Sequence, residues 1–221
     1  MMKVAPTQPL LIMLYGFPGA GKTYFARQLC EHLQAAHVQG DRIRGELFEQ
    51  PRYDKQENDA ITQLMDYMTG EFLSAGISVV YDGNVQRASQ RLALRDFARR
   101  AHAHPLLIWL QMDPDTAYMR SSRRDRRKAD DKYAASYDRP AFDQLIGHMQ
   151  NPTPAEEYVV VSGKHSFNAQ YSAVLRRLRD VGLVSTSDSA PAVKPGLVNL
   201  IPQPNPYRGR VDNARRNITI R

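Results

Sequence analysis

The sequence predicts an α/β protein, a five-stranded parallel sheet covered on both faces by helices. Three observations carry this. Strand-like and helix-like segments alternate along most of the chain. The first strand-like segment, Leu10-Leu11-Ile12-Met13-Leu14-Tyr15, is an unbroken apolar run, as a strand buried on both faces requires. It leads directly into Gly16-Phe17-Pro18-Gly19-Ala20-Gly21-Lys22-Thr23, a fit to G-x-x-x-x-G-K-[ST] with helical sequence behind it.

The elements follow in order. A helix is expected over residues 21–33, then a short strand over 36–39 that ends at Gly40-Asp41. Another helix starts near Asp41 and breaks at Pro51. Residues 56–73 carry Ile61, Leu64, Met65, Met68 and Phe72 at helical spacing. A third strand covers 77–81 and ends at Asp82. The helix expected over 88–102 should turn Leu92, Leu94, Phe97 and Ala98 inward. A fourth strand covers 105–112, and Asp113-Pro114-Asp115 opens a helix expected to run to residue 127. A helix over 140–149, a fifth strand over 157–162 and a last helix over 168–178 complete the pattern. In such sheets ligands bind at the carboxyl ends of the strands.

A chain of 221 residues, 42% hydrophobic, can bury a sizeable core. The expected organisation is one domain over residues 1–183, with a lid near 118–140, and a tail over 184–221. The net charge is +7, and the tail holds six basic residues against two acidic ones, with five prolines and no helical period. It reads as an extended or disordered segment, either simply solvated or loosely attracted to a polyanion such as nucleic acid. No apolar run reaches the roughly 20 residues needed to cross a bilayer. Cys30 is the only cysteine, so an internal disulfide is excluded, and it reads as a core residue. None of the six histidines has metal-ligand spacing. These features point to a cytoplasmic protein with no membrane partner.

The glycine-rich stretch supplies backbone N–H groups that turn around a β-phosphate, and Gly19 and Gly21 leave room for close approach. The helix N-terminus adds partial positive charge. Lys22 reaches the β- and γ-phosphates, and Thr23 holds Mg²⁺. The nucleotide site is therefore read as Gly16, Pro18, Gly19, Ala20, Gly21, Lys22, Thr23 and Tyr24, with ATP and Mg²⁺ as cofactors.

Such a loop does not say where the last phosphate goes. The guanine-selecting N-K-x-D is absent, as is the L-S-G-G-Q of ABC ATPases. The third strand ends in Asp82-Gly83-Asn84 rather than the Asp-Glu of motor ATPases. Small size and an arginine-rich segment fit a kinase of the adenylate-kinase type, which needs a carboxylate, an arginine clamp and a closing lid. Asp41 and Arg44 sit three residues apart on one side of a helical turn. Asp41 can accept an acceptor hydroxyl's proton or cap the helix, and Arg44 can hold the acceptor. Asp82 can orient Arg44 or water around Mg²⁺. Asn84 can bind the acceptor or cap the next helix. Arg120 and Arg124, and likewise Arg123 and Arg127, lie four apart on the expected helix, either as a lid over ATP or as a solvated basic face. Gly163-Lys164-His165 is a weaker candidate for covering the adenine.

The motifs G-F-P-G-A-G-K-T, D-R-I-R, V-V-Y-D-G-N and R-S-S-R-R together resemble the small P-loop kinases grouped as AAA_33. That group includes the kinase domain of phage polynucleotide kinase and, more distantly, zeta toxins. The resemblance covers about residues 10–178 and implies an adenylate-kinase-like P-loop fold with ATP-dependent transfer to a hydroxyl. It implies Asp41 as general base, Arg44 on the acceptor phosphate and Asp82 steadying that arginine. It places Arg124, with Arg120 before it, on the donor phosphates, so the catalytic set is Asp41, Lys22 and Arg124. Relatives phosphorylate nucleic-acid ends, nucleotide sugars, antibiotics and sugar acids. A 5′-hydroxyl polynucleotide end leads as acceptor. The alternatives are a small-molecule kinase or an ATP-binding regulatory or nucleic-acid-binding module without an acceptor.

Overall fold

The structure is a computed structural model that describes residues 3–83, 85–125, 127 and 131–184. The basic tail expected beyond Val184, Asn84 and four positions of the expected lid (Arg126, Lys128, Ala129, Asp130) lie outside the described residues.

The elements run β1 (Leu10–Tyr15), α1 (Lys22–His32), β2 (Ala35–Gln39), α2 (Gly40–Leu47), α3 (Lys55–Ser74), β3 (Ser78–Asp82), α4 (Ala88–Arg100), β4 (His104–Gln111), α5 (Pro114–Ser122), α6 (Arg139–Gly147), β5 (Tyr158–Ser162) and α7 (Phe167–Asp180). The five strands form one sheet in the order β2-β3-β1-β4-β5, with every pairing parallel. β1 is central, and none of its six residues is more than 2% exposed. Its alternate side chains feed two cores. Leu10, Ile12 and Leu14 pack with Phe25 and Leu29 of α1 and Val174 and Leu178 of α7. Leu11, Met13 and Tyr15 pack with Ile61 and Met65 of α3 and Leu94 and Ala98 of α4. Cys30 packs at the edge of the first core. Among the described residues no helix is long and apolar enough to cross a membrane.

Three expectations are corrected. α2 ends at Leu47, with Phe48 extended, so it stops before Pro51. α5 ends at Ser122 rather than at residue 127. Ser121 and Ser122 turn their hydroxyls back to the Tyr118 and Met119 carbonyls, a local bond that competes with helix propagation. The arginines that follow would repel one another on a continued helix. On α4, Leu92 faces solvent at 53% exposed, while Arg91 takes the inward position at 0%.

Arg91 is buried because every part of it is satisfied. Nε and Nη2 donate to the two Glu156 carboxylate oxygens at 2.6 and 2.9 Å, a two-point pairing. Nη1 donates to the carbonyls of Val85 and Gln150 at 3.1 and 2.9 Å. The guanidinium lies 5.1 Å from the centre of the Tyr15 ring, and the Tyr15 hydroxyl donates to Asn151. This arginine ties the segment after β3 and the connection before β5 to the end of β1. Glu156→Ala would leave a buried guanidinium without its anion and should cost about 3–5 kcal/mol of unfolding free energy in urea titrations. Leu92→Ser, one residue along the helix, should change stability by about 0.5 kcal/mol or less.

Candidate active site

A cleft of about 1380 Å³ opens at the carboxyl ends of the strands. It is lined by the loop after β1, the start of α2, the end of β3, the last turn of α5, residues 134–137 and the turn after β5. All five strands are parallel, so each delivers its following segment to this end.

The loop after β1 ends at Gly21, which caps α1 in a left-handed conformation with φ 93°. The first N–H groups of α1 lack helical partners by construction and face the loop's concavity. Gly19, with φ 86°, is glycine for a further reason: a Cβ there would run into the Ala117 carbonyl of α5. The loop is therefore seated directly on α5. Lys22 Nζ donates to the Gly16 and Phe17 carbonyls at 2.7 and 2.9 Å, using two of its three hydrogens. Removal from water pushes the Lys22 ammonium down to about 8, with Asp82 and Asp41 opposing that and Arg124 adding to it. Thr23 occupies the next position of α1, and Pro18, Ala20 and Tyr24 also line the cleft.

α2 begins immediately after β2, with Gln39 as its N-cap. Asp41 therefore lies in the first turn and does not cap the helix. Burial, then neighbouring Asp82, pushes its carboxyl up, while Arg124, Arg44 and Lys22 pull it down. Asp41 thus stands within electrostatic reach of both the loop lysine and the arginine after α5.

Arg44, one turn on, is 7% exposed. Its partner is Glu57 of α3, not Asp82, which corrects the expected pairing. Arg44 Nη1 donates to Glu57 Oε1, and Nη2 to Asn58 Oδ1 at 2.6 Å. Arg44 Nε is buried and has no hydrogen-bond partner among the described residues. Glu57 also accepts from the Arg52 and Tyr53 backbone N–H groups, and these bonds outweigh desolvation and hold its carboxyl below the usual range. Asp82 instead meets His37 Nε2 at 3.2 Å, across the β2–β3 pair. It remains at the cleft, beside the P-loop.

The arginines after Tyr118 divide. With α5 ended at Ser122, Arg120 and Arg124 do not share a helix face, nor do Arg123 and Arg127. Arg120, Arg123 and Arg124 still line the cleft. Arg120 Nη1 donates to the Gly163 carbonyl at 2.9 Å, bringing the turn after β5 to the cleft. Lys164 of that turn pairs with Asp113, the N-cap of α5, at 2.6 Å. Arg124 Nη1 donates to the Ala135 carbonyl at 2.7 Å. Arg127 points away, 90% exposed and paired with Asp125. Residues 131–137 cross the mouth of the cleft to α2, where the Tyr133 hydroxyl donates to Glu46 and the ring rests on Gly45. A Cβ at Gly45 would enter that ring, which accounts for glycine inside a helix.

Glu57, Asn58, Tyr53 and Tyr137 were not singled out by the sequence. Asp54 three residues before Glu57 is a capping signature, and Asp54 does accept the Glu57 N–H at 2.9 Å. The spacing reveals the cap and not the ion pair behind it.

A central strand, a glycine-rich loop and a helix N-terminus at the switch point of a parallel sheet define a P-loop protein of kinase-like fold. Within that class the chain belongs to the AAA_33 family (AAA domain), whose model matches residues 11–152. No curated protein matches the sequence. Among solved structures, a candidate kinase from Chloroflexus aurantiacus superposes with a TM-score of 0.62 at 17% identity, over 79% of this chain and 98% of that one. Chaetomium thermophilum Kti12 in complex with ADP-AlF3 gives 0.58 at 18%, over 77% and 97%. The Mycobacterium tuberculosis APS kinase CysC, bound to AMPPNP and APS, gives 0.58 at 16%, over 79% and 99%. At these identities the likeness is one of fold.

The depressed Lys22 value has a direct consequence. Only the ammonium attracts phosphate, so ADP affinity should fall as pH rises through about 8. Above that pH, binding should take up a proton, read as a calorimetric heat that varies with the buffer's ionisation enthalpy. Affinity flat from pH 7 to 9 with no proton uptake would show that the Lys22 ammonium stays charged through that range despite its burial.

Proposed function

We propose that the protein is an ATP- and Mg²⁺-dependent kinase that transfers the γ-phosphoryl group to a hydroxyl, with a 5′-hydroxyl polynucleotide end as acceptor. The observation that carries this is the placement of Asp41, half-buried in the same cleft as the phosphate loop and within electrostatic reach of Lys22, Arg124 and Arg44.

The N–H groups of residues 19–23 and the Lys22 ammonium cradle the donor phosphates. Thr23 at the start of α1 fits Mg²⁺, which takes few protein ligands and keeps waters and phosphate oxygens. Asp82, also on the cleft, suits its outer shell. Held there, Mg²⁺ would neutralise charge on the transferring group. The acceptor hydroxyl gives its proton to Asp41 as its oxygen bonds to the γ-phosphorus. The bond from that phosphorus to the β–γ bridging oxygen breaks, and ADP leaves with the electron pair. Burial that raises the Asp41 carboxyl makes it a better base. Arg124 and Arg120 face the donor phosphates, and Arg44 faces the acceptor. Residues 118–140 serve as the lid.

The test is transfer of label from γ-labelled ATP to 5′-hydroxyl RNA and DNA oligonucleotides. Lys22→Ala should abolish labelling by removing the phosphate contact. Asp41→Asn should lower it by about 10²–10⁴-fold while ADP binding persists. Labelling that survives Asp41→Asn would sink the general-base assignment, and no labelling by the parent protein would sink the polynucleotide acceptor.

A further inference from the structure

The acceptor side of the cleft contains a residue in an expensive conformation. Tyr53 has φ 57°, in the left-handed region, one of two non-glycine residues so placed among the described residues. The other, His102, follows α4 near the opposite end of the sheet. A bulky side chain there is an outlier, and glycine or asparagine would meet the same turn at lower cost. The backbone reason for the turn is clear. It aims the Tyr53 N–H at Glu57 and leaves Asp54 to cap α3. That reason calls for the conformation and not for an aromatic ring.

The ring is where a ligand would meet it. Tyr53 lines the cleft with Asp41 and Arg44 and is 44% exposed, although most large apolar side chains among the described residues are not exposed. The Arg44 guanidinium lies 4.6 Å from its ring centre, and Arg44 is itself locked by Glu57 and Asn58. The ring is thus backed by a fixed cation, which orients it. Tyr137 lines the same cleft, within electrostatic reach of Asp41, Tyr53 and Arg44. Asn58 and Thr62 of α3 line the same cleft, and the Asn58 amide bonds both Arg44 and the Tyr53 carbonyl, which fixes the pair. The cleft's 1380 Å³ also exceeds the roughly 300–1,000 Å³ typical of a site for one small ligand, which leaves space for a second molecule with a ring of its own.

We infer that Tyr53 is a specificity residue, a stacking platform for the flat ring of a nucleoside whose 5′-hydroxyl reaches Asp41. This rests on the kinase reading for the role of Asp41, but the stacking itself does not require transfer. Base–aromatic stacking is tolerant of base identity. The acceptor would therefore be chosen for bearing a base at its 5′ end rather than for its sequence. A free nucleoside and an oligonucleotide end share that chemistry.

The experiment measures binding of 3′-labelled oligonucleotides with a free 5′-hydroxyl, in the presence of ADP and Mg²⁺. Their first position is either a normal nucleotide or an abasic one, and free adenosine serves as competitor. The base-bearing end should bind about tenfold or more tightly. Tyr53→Phe should keep that preference. Tyr53→Leu, which still covers Arg44 with an apolar group, should lose it, with ADP affinity unchanged. Competition by adenosine at concentrations near its own stacking affinity would identify a mononucleoside acceptor, and lack of competition a polynucleotide one. Equal binding of the two ends, no binding of either, or a preference that survives Tyr53→Leu would overturn the inference. A base preference without phosphoryl transfer would retain the platform and reject the kinase reading. Transfer with no base preference would do the reverse.

Discussion

The molecule is organised by the burial of β1 on both faces. Six consecutive residues between 0 and 2% exposed leave this strand no solvent side, so helices must cover the sheet above and below. Parallel pairing with β3 and β4 requires crossovers, and crossovers send every strand in the same direction. The segments after β1, β2, β3, β4 and β5 then converge at one end. The glycine-rich loop, Asp41, Asp82, Arg120 and the Gly163 turn are distant in sequence and share a cleft because of that single packing demand.

The electrostatics of the cleft follow from the same convergence. Two carboxylates, Asp41 and Asp82, face Lys22, Arg44 and Arg124 in a space partly removed from water. Removal from water discourages the ammonium of Lys22 and the carboxylate of Asp41 alike. Opposite charges across the cleft restrain both shifts. Arg44 stands apart, because Glu57 and Asn58 of α3 hold its two terminal nitrogens and its position does not depend on the other two carboxylates. Charges that must respond to a ligand and a charge fixed by the scaffold therefore lie within one turn of α2.

Much of this was readable from the chain. Unbroken apolar runs are strands of a buried sheet, and all five strands lie within a residue or so of the expected positions. The loop was legible because its spacing reflects a backbone shape. At Arg91 and Arg44 tertiary partners override local pattern, while the end of α5 is a local effect. Arg91 reads as a surface residue until Glu156 and four carbonyls are brought to it from sites up to 65 residues away. Leu92 is then displaced outward. Arg44 has an aspartate ending the third strand as an apparent partner, but Asp82 points to His37 and Glu57 is nearer in space. The helical run of arginines after Tyr118 fails at two serines whose hydroxyls bond their own helix. Tyr53 carried no signal, since a left-handed conformation is visible in sequence only when glycine or asparagine occupies it.

The resting of Tyr133 on Gly45 has a mechanical meaning. The strap that reaches α2 at this point also carries the Ala135 carbonyl that holds Arg124, while α2 carries Asp41. The link between α2 and the arginine runs through this strap and not through the sheet. One short strap therefore touches both the helix that carries Asp41 and the arginine beside it, a tether that joins two walls of the cleft outside the sheet.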